Sequence, residues 1–147
     1  MKAQGSSLEN YARYLQSLDL KMVTIQQVVS AHARRKGSVW NSLPPRSMWR
    51  NIGKTLQAAD KVAMTLGRPV KDVTSAYRSP AYNSRCPGAK SRSYHTKNNA
   101  LDLKFSASPY SVASVARRLR SQGVFKGGIG RYSSFTHIDT RGTNVDW

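Results

Sequence analysis

The period of the hydrophobic pattern changes at residues 67–69, and this change limits the chain to folds that combine helices with strands. Before it, apolar residues recur at helical spacing and predict a helix from Met48 to about Leu66, with Ser47 as the expected N-cap. Its apolar stripe consists of Trp49, Ile52, Leu56, Ala59, Val62, Ala63 and Leu66. Gly67 and Pro69 end this predicted helix. Short segments with strand-like composition predominate after them.

The first 45 residues predict two short helices, separated by a break near Asp19. Their apolar positions are Leu8, Tyr11, Leu15 and Leu18 in the first, and Met22, Ile25, Val28 and Val29 in the second. His32 lies at the end of the second helix, where we expect a surface or capping histidine, and Gly37 is expected to end that helix. Residues 38–46 are the most linker-like part of the chain.

The second half predicts a small sheet crossed by one helix. Strands are expected at "DVTSAY", "ALDLKF", "GGIGRY" and "FTHIDT", and "SPYSVASVARRLRSQG" predicts a helix capped by Ser108 with Pro109 in its first position. Helices first and strands later indicate an α+β fold, with a helical N-terminal half packed on a small antiparallel sheet. We find no internal repeat, and residues 1–147 are expected to form a single domain.

The net charge of the chain indicates its binding partners, but it says little about its fold. The 147 residues carry a formal net charge of +17, which attracts nucleic acid, anionic lipid or anionic wall polymers. The basic residues are spread along the chain, and no zinc-finger or homeodomain signature is present.

Cys86 is the only cysteine, so an intrachain disulfide is excluded. We find no apolar stretch of signal-peptide length, and therefore expect a protein made in the cytoplasm.

The segment "SRSYHTKNNALDLKF" places His95 and Asp102 on either side of a six-residue spacer. Alternation along the predicted strand puts Asp102 on the face opposite Leu101 and Leu103. The loop before the strand is rich in residues that tolerate turns, so the imidazole can fold back onto the carboxylate. By this spacing alone, a hydrogen-bonded loop histidine remains the alternative to a metal ligand.

A second histidine strengthens the metal interpretation. In "SSFTHIDT", His137 and Asp139 share a strand face with side chains about 6 to 7 Å apart, so that one could bind a metal while the other reaches a water on it. His95, Asp102 and His137 form the two-histidine, one-carboxylate set of a catalytic zinc with an open fourth position. Glu9 is the only glutamate, so a general base near such a site is expected to be an aspartate.

Two motifs carry a family resemblance. "SAYRSPAYNSRCPGAKSRSYHTKNNALDLKF" resembles the central motif of the M15 family of zinc D-Ala-D-Ala metallopeptidases, in which an arginine turn precedes Ser-x-His, a six-residue spacer and Asp. "GGIGRYSSFTHIDTRGTNVDW" is similar to the C-terminal motif of that family. The resemblance covers residues 46–147 and implies a hedgehog/DD-peptidase-like core, with residues 1–45 as an N-terminal helical extension.

The resemblance implies that His95, Asp102 and His137 bind zinc. Asp139 would then be the general base, although relatives often place that base three residues before the last histidine, where this chain has Ser134. Serine cannot act as that base.

The resemblance also implies substrate contacts. Arg78 would bind the carboxylate of the substrate or stabilise developing negative charge, Ser93 would hold the peptide, and Tyr132 could line the cleft. Trp147 would close the core or the floor of the cleft. Asn98 stands where the family commonly has glycine, and asparagine suits that position if the backbone there has a positive φ.

The resemblance thus implies a zinc peptidase that hydrolyses peptidoglycan stem peptides, as a D-Ala-D-Ala carboxypeptidase or an endolysin-type endopeptidase. The expected partners are the stem peptide and anionic cell-envelope polymers, with no obligate protein partner and only non-specific nucleic-acid binding. Without a signal peptide, the protein resembles a phage-encoded or virion-associated lysin that acts on the bacterial wall. The alternatives are a non-catalytic zinc module of the same fold and a basic nucleic-acid-binding protein.

Overall fold

The computed structural model describes residues 5–86 and 93–147 of the chain. The helices are α1 (Gly5–Ser17), α2 (Ile25–His32), α3 (Trp49–Leu66), α4 (Pro80–Asn83) and α5 (Pro109–Ser121). The strands are β1 (Arg35–Lys36), β2 (Val39–Trp40), β3 (Val70–Ser75), β4 (Ala100–Phe105), β5 (Gly128–Arg131), β6 (Thr136–Asp139) and β7 (Val145–Asp146). The predicted α+β class is confirmed. No helix in these two ranges is both long and apolar enough to cross a membrane.

Five strands form the main sheet, in the order β3-β4-β6-β5-β7. Neighbours pair antiparallel except at one edge, where β5 and β7 are parallel. At its centre, Ile138 pairs with Leu101 on one side and Ile129 on the other, while His137 pairs with Asp102 and Gly130. Since successive side chains alternate between faces, the sheet has one apolar face and one face that carries polar groups.

The apolar face is covered by helices. α3 contacts β4 and β6, α5 contacts β4, β5 and β6, and α2 contacts β3. The core between these layers includes Ile52, Leu56, Leu101 and Ile138, each with no exposed surface. Burial of each of these side chains stabilises the fold by roughly 2 kcal/mol. Polar side chains of β4 and β6, among them Asp102 and His137, lie on the opposite face of the sheet.

Most predicted elements are present with close boundaries. The helix α5 has the predicted N-cap, because the Ser108 hydroxyl accepts a hydrogen bond from the Ser111 backbone, with Pro109 in the first turn. The strand "ALDLKF" is β4, and Gly67 ends α3 in a left-handed conformation, with φ 75°. The turn-rich segment after β3 contains α4, and its residues 87–92 lie outside the described residues.

Two predicted helix ends are wrong. Ser47 does not cap α3, because a 3-10 turn over Arg46–Met48 precedes the helix, and Met48 is the residue at the N-cap. Gly37 does not end α2, which ends at His32 with Ala33 as C-cap. Gly37 instead lies between β1 and β2 with φ 61°, where a left-handed residue allows the tight turn of the hairpin.

The expectation of a surface histidine at position 32 is also wrong. His32 is completely buried. Its ring packs edge-on against Tyr11, with centroids 5.7 Å apart, and lies 6.3 Å from the ring of Tyr77. Burial lowers its pKa to about 4, although the backbone of Tyr77 offsets part of the shift. A neutral imidazole therefore serves as an aromatic core residue.

The segment predicted as linker-like is packed into the fold. Leu43 and Asn41 are buried. The Asn41 amide donates to the Tyr77 carbonyl at 2.8 Å, and its oxygen accepts from the Ser79 backbone at 3.0 Å. Asn41 therefore holds both sides of the turn that carries Arg78. The division of the chain at residue 45 into an extension and a core stays a prediction.

Candidate metal centre

Three ligand-type side chains converge on the polar face of the sheet. His95, Asp102 and His137 each offer one ligand atom, and these atoms lie within 4.8 Å of one another. All three residues are buried. Within the described ranges, they form a group of histidine and acidic residues whose geometry could hold a metal ion.

Two neighbouring strands bring Asp102 and His137 together. The residues are direct partners in the β4-β6 ladder, so their side chains leave the same face of the sheet. His137 Nδ1 lies 3.1 Å from Asp102 Oδ1. This pairing follows from strand register, because a shift by one residue would turn one side chain to the apolar face.

His95 comes from the loop before β4, which folds back as the sequence indicated. Its carbonyl accepts a hydrogen bond from the Arg78 backbone at 3.1 Å, and its Nε2 lies 3.2 Å from Asp102 Oδ2. Asn98 turns the chain towards β4 with φ 59°, which confirms the expected positive φ at this position. Its amide donates to the Met48 carbonyl at 2.8 Å and ties the loop to the start of α3.

His95 has an acceptor on each side of its ring. Nδ1 lies 2.8 Å from the Ala76 carbonyl oxygen, and Nε2 lies 3.2 Å from Asp102 Oδ2. When Nδ1 carries the ring proton and donates to Ala76, the closer acceptor, the lone pair on Nε2 faces Asp102.

His137 lies between two carboxylates. Its Nε2 is 2.7 Å from Asp139 Oδ2 and its Nδ1 is 3.1 Å from Asp102 Oδ1. When Nε2 carries the ring proton and donates to Asp139, the shorter of the two contacts, the lone pair on Nδ1 faces Asp102. With both rings in these tautomers, three electron-pair donors point at one another, an arrangement that a divalent cation would stabilise. The donor set fits a metal ion, and each imidazole has the outer hydrogen-bond partner that is common in metal sites.

Charges around the centre favour an ionised Asp102. Burial by itself would raise the pKa of this carboxyl, but the charge of His95 and hydrogen bonds from both histidines hold the pKa well below its ordinary value. Burial would lower the pKa of His137, whereas hydrogen bonds to Asp102 and Asp139 raise it overall. The carboxylates therefore concentrate negative potential at the point where the ligand atoms meet.

Arg78 lies beside the centre, and the substrate contact that the resemblance implied for it stays a prediction. Nη2 of its guanidinium is 3.3 Å from Asp102 Oδ2, Nε donates to Ser75 Oγ at 2.9 Å, and Nη1 donates to Asn83 Oδ1 at 3.3 Å. A guanidinium has five N–H groups, so two of them donate to none of the described residues. The side chain is 15% exposed.

Ser93 and Tyr132 occupy different surroundings. The Ser93 hydroxyl accepts a hydrogen bond from the His95 backbone at 3.1 Å, so it helps to place that ligand. Tyr132 is exposed, stacks on Phe135, and accepts a hydrogen bond from the Trp147 indole at 2.8 Å. Trp147 in turn lies 4.9 Å from the His137 ring. Trp147 therefore lies beside the candidate centre, and Tyr132 is connected to it through this indole.

Asp139 is closer to His137 than strand geometry alone predicted. The expected spacing of about 6 to 7 Å applies to strand positions two apart, but the side chains bend together into the 2.7 Å contact. Asp139 has no exposed surface. Its assignment as general base stays a prediction.

Sequence reasoning missed Arg141, which binds Asp139. Its guanidinium makes three contacts with the carboxylate: Nη2 to Oδ2 at 2.7 Å, Nε to Oδ1 at 3.0 Å and Nε to Oδ2 at 3.1 Å. Only its place two residues after Asp139 could have singled it out, because lysines and arginines number 24 in this chain.

The fold and the site define an α+β protein with a candidate metal centre on one face of its sheet. The family model described as Peptidase M15 matches residues 16–139, which include His95, Asp102 and His137. The chain belongs to the peptidase M15 family. The match begins within α1, earlier than residue 46, where the motif resemblance starts. No curated protein and no solved structure matches the chain.

Proposed function

We propose that this protein is a zinc peptidase that hydrolyses peptide bonds in peptidoglycan stem peptides. The proposal rests on two imidazoles that face the same carboxylate, that of Asp102, in a member of a peptidase family. Each ring has one nitrogen on an outer acceptor, Ala76 or Asp139, and the other nitrogen beside Asp102. Two histidines and one carboxylate are the ligand type of catalytic zinc sites that keep one position open.

In this proposal His95, Asp102 and His137 hold the zinc ion. Zinc supplies a Lewis acid that polarises a carbonyl and lowers the pKa of water towards neutrality. Arg78 neutralises part of the charge of Asp102, and two of its N–H groups, which have no partner among the described residues, would bind an oxygen of the substrate, as a carboxylate or an oxyanion.

Ser93 and Tyr132 are the proposed peptide-binding residues. Ser93 adjoins His95, and Tyr132 is exposed next to Trp147. The net charge of +17 supports attraction to anionic cell-envelope polymers. Action on the bacterial wall as a phage-encoded or virion-associated lysin, and the choice between carboxypeptidase and endopeptidase, belong to the same proposal.

A non-catalytic metal module is the second candidate function. Asp102 and Asp139 are the acidic residues that contact the two histidines, and Asp139 is fully buried in hydrogen bonds. If neither carboxylate can move a proton, the centre would bind metal without turnover.

The proposal is tested by zinc content and by release of soluble fragments from purified peptidoglycan, measured on the same samples. The variants are His95→Ala and His137→Ala, and the control is Asp146→Asn, which removes an acid paired with Arg120 on the edge strand β7. We expect near-stoichiometric zinc and chelator-sensitive release from the parent and the control, and neither from the histidine variants.

Other outcomes separate the alternatives. Zinc without release from any wall material or stem peptide would favour the non-catalytic module. Absence of zinc from the parent protein would contradict the metal centre. Duplex DNA binding that falls steeply with salt and survives His95→Ala, without wall activity, would favour the nucleic-acid alternative.

A further inference from the structure

We propose that Asp139 and Arg141 form a positioning pair, which sets the tautomer of His137 and holds its ring for the metal ion. This role differs from that of the general base predicted for Asp139. The inference rests on the proposed function only for the choice of zinc as the metal. The residues that hold the pair in place are Gly128 of β5, Tyr94 and Trp147.

The carboxylate of Asp139 is saturated with donors. Oδ1 accepts from the Gly128 backbone at 2.8 Å, from the Arg141 backbone at 3.1 Å and from Arg141 Nε at 3.0 Å. Oδ2 accepts from His137 Nε2 and from Arg141 Nη2, each at 2.7 Å. A carboxylate offers about four lone-pair sites, and at least that many donors occupy them here.

A saturated carboxylate with no exposed surface is poorly placed to take a proton from water. The same contacts make Asp139 a rigid acceptor for one atom, His137 Nε2. The geometry therefore suits a residue that acts through the histidine.

Arg141 is itself held by aromatic rings. Its guanidinium carbon lies 4.1 Å from the centre of the Tyr94 ring and 5.2 Å from that of Trp147. Planar guanidinium groups stack well on such rings while they keep a two-point contact with a carboxylate. The pair is thus fixed from both sides, by the loop that carries His95 and by the C-terminal segment.

Two glycines leave room for the Asp139 carboxylate: Gly127, just before β5, and Gly128, its first residue. A Cβ on Gly128 would lie 2.6 Å from Asp139 Oδ2, and a Cβ on Gly127 would clash with the Asp139 carbonyl oxygen at 1.8 Å. Larger residues here would push the strand away from the carboxylate. The glycine-rich approach to β6 is therefore a steric requirement of the Asp139 site.

The test measures zinc affinity by competition with a chelator, together with the tautomer of His137 by NMR of protein labelled with 15N-histidine. The variants are Asp139→Leu, Asp139→Asn and Arg141→Gln, and Arg141→Lys is the conservative variant. The control is Asp146→Asn, which breaks a different carboxylate-arginine pair of the same sheet. Circular dichroism checks that each variant is folded.

We expect the Asp139 variants to bind zinc about 10 to 100 times more weakly, as is usual when the outer partner of a metal-binding histidine is lost. Arg141→Gln should weaken zinc binding less, because Asp139 keeps its contact with His137, and Arg141→Lys should restore part of the loss. The Nε2–H signal of His137 should be present in the parent and lost in Asp139→Leu. The control should match the parent.

Unchanged zinc affinity and an unchanged His137 tautomer in folded Asp139→Leu, with loss of turnover alone, would overturn the inference and support the general base. The NMR measurement is repeated in chelator, at a pH well above the ordinary pKa of histidine. If the parent binds no zinc, the proposed function fails, but the tautomer of metal-free His137 still decides whether Asp139 positions the ring.

Discussion

Asn98 shows how one backbone conformation places a metal ligand. Its φ of 59° bends the loop between His95 and β4, and its backbone N–H donates to the His95 carbonyl at 3.3 Å. Asparagine enters this region more readily than most residues, though less readily than glycine. The short path from His95 to Asp102 depends on this turn.

We predict that Asn98→Ala destabilises the protein more than Asn98→Gly. Alanine at this φ costs about 1 to 2 kcal/mol of backbone strain and removes the hydrogen bond to the Met48 carbonyl, which contributes about 1 kcal/mol. Glycine removes only the hydrogen bond. Urea unfolding measures both free energies of unfolding, and equal losses for the two variants would show that strain at this position is unimportant.

The site residues differ in how readily the sequence could reveal them. His95, Asp102 and His137 stand out because the chain has three histidines and seven acidic residues, and because strand periodicity assigns Asp102 and His137 each to a face of its strand. Arg141 has no such signal among 24 basic residues. The outer contact of His95 could not be predicted either, because the Ala76 carbonyl reaches the ring only through tertiary packing.

At the scale of elements, β5 and the C-terminal segment form one packing unit. The Trp147 backbone donates to the Ile129 carbonyl at 3.0 Å and its carbonyl accepts from Arg131 at 2.8 Å. The Trp147 ring lies over Gly130, where a Cβ would be 2.5 Å from Trp147 Cε2. The absence of a side chain at Gly130 thus allows the indole to reach His137.

We predict that Gly130→Ala displaces the Trp147 ring and lowers the free energy of unfolding by about 1 to 2 kcal/mol, as is usual for overpacking. The displaced ring would lose its hydrogen bond to Tyr132 and its contacts with His137 and Arg141. In a double-mutant cycle with Trp147→Ala, most of this cost should disappear. Additive effects in the cycle would contradict a direct clash.

Element boundaries were predictable where the sequence carries local signals. α5 and β4 have a capping serine and a clear alternation, respectively, and the structure confirms both. β1, β2 and β7 contain two residues each, too few to show a period. The 3-10 turn before α3 was missed because serine is also common inside such turns.

At the scale of the whole molecule, the N-terminal helices share the core of the sheet domain. Tyr11 of α1 contacts both His32 of α2 and Trp49 of α3, with ring centroids 5.7 and 5.2 Å apart. The strand order β3-β4-β6-β5-β7 joins elements distant in the chain. Hydrophobic period predicts which face of a strand is buried, but it carries no information on which strands are neighbours, so this order could not be predicted.

The buried His32 predicts a loss of stability in mild acid. The unfolded chain takes up a proton near the ordinary pKa of 6.5, whereas the folded protein resists protonation of His32 until about pH 4. The unfolded state therefore binds more protons in this window, and the free energy of unfolding falls as the pH decreases from 6.5 to 4, by about 3 kcal/mol from this residue.

His32→Leu should remove this part of the pH dependence. Urea unfolding of both proteins in chelator, at several pH values between 4 and 7, measures it as the difference in slope. The part of the difference in free energy of unfolding that does not change with pH reflects packing. If the whole difference between parent and variant is independent of pH, His32 is not protonated on unfolding.

The contact between Trp147 and His137 also has an optical consequence. Indole emission responds to the charge and rigidity of the groups that touch the ring, and this indole lies 4.9 Å from a candidate metal ligand and 5.2 Å from the Arg141 guanidinium. Trp40 and Trp49, on β2 and α3, contribute light from other parts of the molecule. Trp147 is thus a natural fluorophore beside the candidate metal centre. Its emission under ultraviolet excitation should change when a metal ion binds, without any added dye.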